Sequence, residues 1–390
     1  MNKRFKSNQS QQHVNLMRHL APSLMALAIA GAYANAYAQT QDQSLPTVTV
    51  TAPAATADTL PTIEQARAQI ATVAGGANIV DAEQYKEGRV STLSDALQFS
   101  PGVFVASRFG AEESRMSIRG SGLQRTYHMR GIEVLQDGVP LNLADGAVDF
   151  QAIEPLAARY VEVYRGANGL QFGSATMGGA VNFVSPSGLT AAPVAARVEL
   201  GSYGYKRAQV STAGKTDTLD WFIAGSEFYQ DGYRDHSRQD TQRFSGNLGI
   251  RLSDTIETRF FLNVVNTNSA LPGTLSKAEM NANPRQQQTD AFTVNGNQHR
   301  NFELYRLSNL TNVRLDAEQH VEIGSFYSYK SLFHPIYQVL EQDSNDYGLN
   351  LRYVGNQALW NHKNQLIIGA TLAAGTLADN RFQNVFGQPG

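Results

Sequence analysis

The side chains of this sequence that could do chemistry do not fall into a catalytic spacing. Ser, His and Asp residues are scattered through polar loops, with no helix or strand–turn frame to bring a nucleophile onto a base. The chain therefore reads as a non-enzyme. His128-Met129 sets an imidazole beside a thioether, both acceptable to copper, but one donor of each kind does not complete a ligand set. "GSATMGG" (Gly173 to Gly179) has the glycines of a phosphate loop without its Lys-Ser/Thr ending or a following helix. There is no cysteine, which excludes a disulfide framework, a thiolate metal site and a lipidated N-terminal Cys. With a net charge of -2 and no basic run, nucleic acid is not an expected partner. What remains is recognition through the backbone. In "LPTVTVT" (Leu45, Pro46, Thr47, Val48, Thr49, Val50, Thr51), five successive residues are β-branched and stiff at χ1. Their Gln-, Ala- and Pro-rich surroundings cannot bury a strand. An unpaired segment of this kind suits addition to the sheet edge of another protein, and Pro46 keeps it out of a helix. The alternative is a Thr-rich linker with no partner.

The elements around these residues divide the chain into four parts. Residues 1–38 read as an export signal: Lys3, Arg4, Lys6 and Arg18, then a short apolar run, then Ala36-Tyr37-Ala38 before the cleavage point at Gln39. Residues 39–74 read as a flexible tether carrying one capped helix, opened by Thr62-Ile63-Glu64-Gln65 and running through Ile70. Residues 75–188 read as a small α+β domain. In it Leu93, Ala96 and Leu97 fall at helical spacing, Pro101-Gly102 stops that helix, and Val103 to Val105 begin a strand. "RYVEVYRGA" and "GGAVNFVSP" are further strands.

From residue 189 to 390 the period changes to two. Phe244, Gly246, Leu248, Ile250 and Leu252 share one face of a strand, with Arg243, Ser245, Asn247 and Arg251 on the other. Ile256, Phe260, Leu262 and Val264 stand opposite Glu257, Arg259 and Asn263 in the same way, and Leu349 and Leu351 opposite Asn350 and Arg352. About nine such segments of roughly ten residues are present, the length a tilted strand needs to cross a bilayer. Short connections ("AGKTDT", "SDT", "DAEQ") alternate with long polar ones ("DGYRDHSRQDT" and Asn266 to Arg300), as in a transmembrane antiparallel β-barrel. A soluble β-sandwich is the competing reading. An odd strand count cannot close such a barrel, so the sequence is expected to be the N-terminal piece of a longer one.

Two stretches resemble the plug domain of TonB-dependent outer-membrane receptors. In the first, Ser117 to Gly146, Ile118-Arg119-Gly120 and Arg130-Gly131 precede Asp137-Gly138-Val139-Pro140. In the second, Ala158 to Pro186, Val161 to Gly166 precede Phe172-Gly173 and Gly178-Gly179-Ala180-Val181-Asn182. The resemblance implies a barrel of about 22 strands with the α+β domain in its lumen, too wide for side chains alone to fill. It implies a box near residues 45–52 offered to TonB, the partner that transmits inner-membrane energy, and an outer-membrane location. The cargo it implies is scarce: a ferric siderophore or ferric citrate-type chelate, with copper, cobalamin, haem or oligosaccharide as alternatives. No resident cofactor or metal is implied. A passive pore or adhesin is the second alternative. The six residues from Gln39 to Ser44 are expected to leave no room for an extra signalling domain before the box.

By position in these motifs, Arg108, Arg125, His128 and Asn142 fall on outward loops and are the candidates to touch cargo. The rigid fork of arginine suits the carboxylates or phosphates of an anionic chelate; pairing with Glu112 or Glu113 is the competing role for Arg108 and Arg125. Arg119, Arg130 and Arg165 are expected to tie plug to barrel through Glu133 or Glu162. Gly120, Gly131, Gly138 and Gly166 read as turn glycines, and Asp137, Gly178 and Gly179 as further structural positions.

Overall fold

A computed structural model describes residues 58–90, 92–108, 112–122, 129–289 and 296–390. The export signal, the box at Leu45 to Thr51, Arg125 and His128 lie outside the described residues.

The first helix, α1 (Ile63–Ile70), starts as its sequence dictates. Thr62 and Gln65 form a reciprocal capping box that satisfies two otherwise unpaired N–H groups. Its apolar face does not dangle. Leu60, Ile63 and Ala66 are buried with Tyr160, Val184, Phe261 and Leu310. Of the expected tether, the part from Asp58 onward is therefore packed, because these apolar side chains find a surface to cover.

Residues 77–184 form the inner domain. A five-stranded sheet runs in the order β1 (Ala77–Asp81), β6 (Tyr160–Arg165), β7 (Gly179–Val184), β4 (Ile132–Gln136), β5 (Val139–Pro140). A separate hairpin joins β2 (Val103–Ser107) to β3 (Ser114–Ile118). Helices α2 (Ala82–Lys86) and α3 (Leu93–Leu97) pack Tyr85, Leu93 and Leu97 against Met116, Ile132, Val134, Val161 and Val181. β6 and β7 are buried along their whole length, so Glu162, Arg165 and Asn182 in them are buried polar groups that need partners. β4 and β5 meet through Asp137-Gly138, both at positive φ (55° and 77°), the requirement of a two-residue type I′ turn.

The remaining strands form one antiparallel sheet in sequential order: β8 (Val194–Leu200), β9 (Lys206–Lys215), β10 (Leu219–Gln230), β11 (Gln239–Ser253), β12 (Ile256–Ala270), β13 (His299–Arg314), β14 (Gln319–Pro335), β15 (Gln338–Gly355), β16 (Leu366–Val385) and the two-residue β17 (Gln388–Pro389). The nine long strands match the expected number. At the lower rim, where the chain enters β8, the turns are residues 216–218, 254–255, 315–318 and 356–365. The upper rim carries 231–238 and 271–298, the latter with helix α4 (Lys277–Ala282), but also a two-residue turn at 336–337. Lengths exceed the expected ten residues. β13 to β16 have 16, 17, 18 and 20 residues, so β16 extends roughly 65 Å at the usual rise per residue. A bilayer core is about 30 Å thick, so β16 is longer than a crossing needs even when strongly tilted.

The faces of this sheet decide between barrel wall and soluble sandwich. Leu248, Phe260, Leu262, Leu349 and Leu351 are exposed on one side, whereas Arg243, Asn247, Glu257, Arg259 and Thr267 are buried on the other. Apolar-out and polar-in is the reverse of a water-soluble protein and the pattern of a membrane barrel. The second sheet a sandwich requires is not formed among the described residues. Instead, the concave polar face wraps the inner domain. Among the described residues the sheet is open, with β8 and β17 at its edges.

Candidate functional site

The wall holds the inner domain through charges of its own. Inward positions of the strands carry arginines that reach groups the inner domain leaves unpaired. Arg207 on β9 bonds Glu154 and the Val90 carbonyl. Glu154 also accepts from the Ser226 hydroxyl and the Leu156 N–H. Burial alone would raise its carboxyl, but Arg207 and Arg243 outweigh that and hold it low. Arg243 donates to Glu112 at 2.7 Å and to the Gln151 carbonyl at 2.7 and 3.0 Å. Arg300 and Lys330 converge on Asp149, and Arg306 donates to the Pro140 carbonyl. Asp149 is held well below the usual carboxylate range: burial opposes this, and the Arg300 and Lys330 charges win. Arg and Lys so placed are donors with fixed, mostly buried partners, the arrangement in which removing one side leaves a costly bare charge.

At the lower rim the same device fastens the start of the described chain. The Thr59 N–H and hydroxyl donate to Glu257 at 3.2 and 2.5 Å, and Arg259 Nε donates to the Thr59 hydroxyl at 2.9 Å. Arg259 also grips Asp220 at 2.6 and 2.9 Å. Arg251 pairs with Asp58 at 3.3 Å. Beside this latch lies a cavity of about 280 Å³ lined by Glu162, Asp137, Arg352 and Glu322. Burial pushes Asp137 up to about 6, although the Ser185 N–H and hydroxyl donate to it at 2.7 and 2.8 Å. Burial likewise raises Glu162, and pushes Glu133 up to about 7.

At the upper rim a larger cavity, about 520 Å³, lies between inner domain and wall. Arg108, Arg115, Arg300, Lys330 and Arg381 line it against Glu113 and Asp149, with Met116, Met129, Phe150 and Leu332 as its apolar surface. Five cations face two carboxylates. The arrangement can bind an anion that also has apolar faces. Among the described residues no group of three or more His, Cys, Asp or Glu side chains could hold a metal ion.

Of the residues singled out from sequence, Arg108 lines this cavity but pairs with Glu113. Asn142 does not face it. Asn142 is buried, its Oδ1 accepting from the Val134 N–H at 2.7 Å and its Nδ2 donating to the carbonyls of Ile132 and Gly146 at 3.1 and 3.0 Å, so it staples the inner domain. The three motif arginines do not make the expected ties to the wall. Arg165 bonds the Pro101 carbonyl and Asn78, Arg130 pairs with Asp145 at the surface, and Arg119 lies exposed beside Arg165. Glu162 accepts from Asn182 at 2.9 Å, inside the same domain. Gly120, Gly131, Gly138 and Gly166 sit at positive φ as turn glycines do. Gly178 and Gly179 matter through close approach. A Cβ at Gly179 would collide with the Tyr164 carbonyl, and one at Gly178 would lie 2.7 Å from Ser121 Cβ. Sequence reasoning missed Arg115, Asp149, Arg300 and Lys330. The signal available for Arg300 and Lys330 was a cation at an inward position of a period-two strand.

The family described as TonB-dependent Receptor Plug Domain matches residues 69–180, from the last residues of α1 through the start of β7. The inner domain matches the plug of TonB-dependent receptors. Vitamin B12 transporter BtuB of Vibrio vulnificus (strain CMCP6) is 27% identical over 144 residues, 37% of this chain and 23% of that protein. Plug and wall together superpose on the unliganded ferric citrate transporter FecA with a TM-score of 0.67 at 16% identity, covering 81% of this chain and 50% of that one. The ferric yersiniabactin uptake receptor FyuA from Yersinia pestis gives 0.60 at 15% identity, covering 79% and 50%. At these identities the likeness is one of fold: a plug followed by part of a receptor β-barrel. The chain spans about half the length of these solved receptors. Among the described residues no helix is long and apolar enough to cross a membrane.

Proposed function

We propose that this chain is the plug and the adjoining part of the barrel of an outer-membrane receptor that takes up an anionic ferric chelate with energy supplied through TonB. The observation that carries the reading is the upper cavity, where cations from plug and wall outnumber carboxylates at the rim opposite the N-terminal latch. An anionic chelate answers that charge better than a neutral corrinoid would, and its iron is cargo, with no resident metal or catalytic step assigned to the protein. Leu45 to Thr51 are the segment offered to the partner, by strand addition. Their position upstream of Asp58 places any pull on the latch at Thr59 first. Release of cargo into the periplasm then requires movement of the plug, since the outer membrane holds no energy source of its own.

The test is uptake of radiolabelled ferric citrate by cells carrying the intact receptor, with and without residues 45–51. Binding that persists while uptake is lost is the expected result. Uptake that survives the deletion favours a passive pore, and competition by excess cyanocobalamin would instead favour a corrinoid cargo.

A further inference from the structure

The upper cavity contains one cation whose charge no described neighbour answers. Arg108 pairs with Glu113, Arg300 and Lys330 share Asp149, and Arg381 bonds Asp379. Arg115, on β3, lines the same cavity, and its Nε is buried without a hydrogen-bond partner among the described residues. A desolvated N–H of a charged group is costly to leave unmatched. The surrounding charge has the same sense. Burial, and then the like charges of Arg115 and Arg300, disfavour the charged form of Arg108 even though Glu113 opposes them. An anion arriving at Arg108, Arg300 or Lys330 would meet Glu113 or Asp149 as well. At Arg115 it would meet none of those carboxylates as a paired competitor. A planar guanidinium there can take a carboxylate through two parallel N–H donors, beside the apolar surface of Met116 and Met129.

We propose that Arg115 is the specificity-determining residue of this cavity: its guanidinium takes an anionic oxygen of the ligand, so that negatively charged ferric chelates are selected over neutral ones. This rests on the receptor reading above. Arg108, by contrast, is a fixed part of the cavity wall.

The test is equilibrium binding of radiolabelled ferric citrate, and of a neutral ferric trihydroxamate, to outer membranes carrying the intact receptor or its R115K and R115Q variants, over a range of salt. Loss of one charge-assisted contact predicts that R115Q weakens ferric citrate binding about 30-fold. It also predicts a flatter salt dependence, while R115K, which keeps the charge but not the two parallel donors, retains the salt dependence and only part of the affinity. Any binding of the neutral chelate should be unchanged in R115Q. A merely structural role would weaken both chelates together and leave the salt dependence as it was, which overturns the proposal. So does ferric citrate binding by R115Q within about threefold of wild type. Wild-type receptor that binds only the neutral chelate refutes the selection and the anionic cargo, while sparing a TonB-energised receptor for ferric chelates. Wild-type receptor that binds no ferric chelate refutes both.

Discussion

Replacing Thr59 with Val should open the N-terminal latch without disturbing the plug core. Valine has nearly the shape of threonine, so packing beside Leu60 is kept and only the hydroxyl is lost. That hydroxyl donates to Glu257 at 2.5 Å and accepts from Arg259 Nε at 2.9 Å. Hydrogen bonds to charged groups contribute about 1.5–3 kcal/mol each. Here Glu257 and Arg259 keep each other at 3.0 Å, and Arg259 keeps Asp220. Because both partners stay paired, losing the hydroxyl should cost about 2 kcal/mol, the figure for one such bond and less than the sum of two. This corresponds to about a 30-fold rise in the open population of residues 58–66. The chain has no cysteine, so an Ala66→Cys substitution supplies a unique reporter at a fully buried position. When labelling is slower than reclosing, its rate tracks the open population, and Thr59→Val should speed it about 30-fold over the reporter alone. A change below about threefold would refute the latch. An equal acceleration at Val134→Cys, in the plug core, would show global unfolding and refute its local character.

Three further outcomes follow from the same geometry. Burial raises Glu133 from 4.5 to about 7, so between those values the unfolded plug loses a proton that the folded plug keeps. Plug stability should therefore fall as pH rises through that window, by up to about 3 kcal/mol. Protease resistance of the plug should be lower at pH 8 than at pH 5 in wild type, and the difference should shrink in Glu133→Gln, with Asp137 and Glu162 supplying the remainder. Gly179→Ala should prevent β7 from docking on β6, because its Cβ would meet the Tyr164 carbonyl at φ 135°. The loss expected is more than about 4 kcal/mol, read as a plug degraded in intact outer membranes. Arg243→Met should leave Glu112 buried with only the Thr241 hydroxyl as a side-chain donor. A cost of about 3–5 kcal/mol should appear as a lower urea midpoint for plug unfolding.

What the sequence disclosed, and what it hid, divides along the range of the interactions involved. The capping box at Thr62 and the turn at Asp137-Gly138 are local, and both formed as read. The strand faces were legible because alternation needs only the residue and its neighbours: Arg243, Asn247, Glu257 and Arg259 all point inward. The partners of those inward groups were not legible. Nothing in "RFSGNLGIRL" says that Arg243 will meet Glu112, which lies 131 residues away. The expected ties ran the wrong way for the same reason. Arg119, Arg130 and Arg165 drew notice because their motifs are conspicuous, but the plug satisfies Arg165 within itself, and the wall supplies the cations that cross the gap. Asn142 sits in a loop by sequence, yet its amide is consumed by three backbone groups of the plug. Arg115 was passed over because it lies on a strand of the hairpin and not in a loop.

The polar lining of the wall has one consequence for how its occupant can leave. Most ties across the gap join groups that water can solvate nearly as well once they part, and apolar contact across it is confined to small patches such as Leu60 and Ile63 on Phe261 and Leu310. Withdrawal can go bond by bond, with solvent filling in behind, and a pull from upstream of Asp58, as proposed above, would meet Thr59 first. An oily seam would have to fail all at once; this one can unbutton.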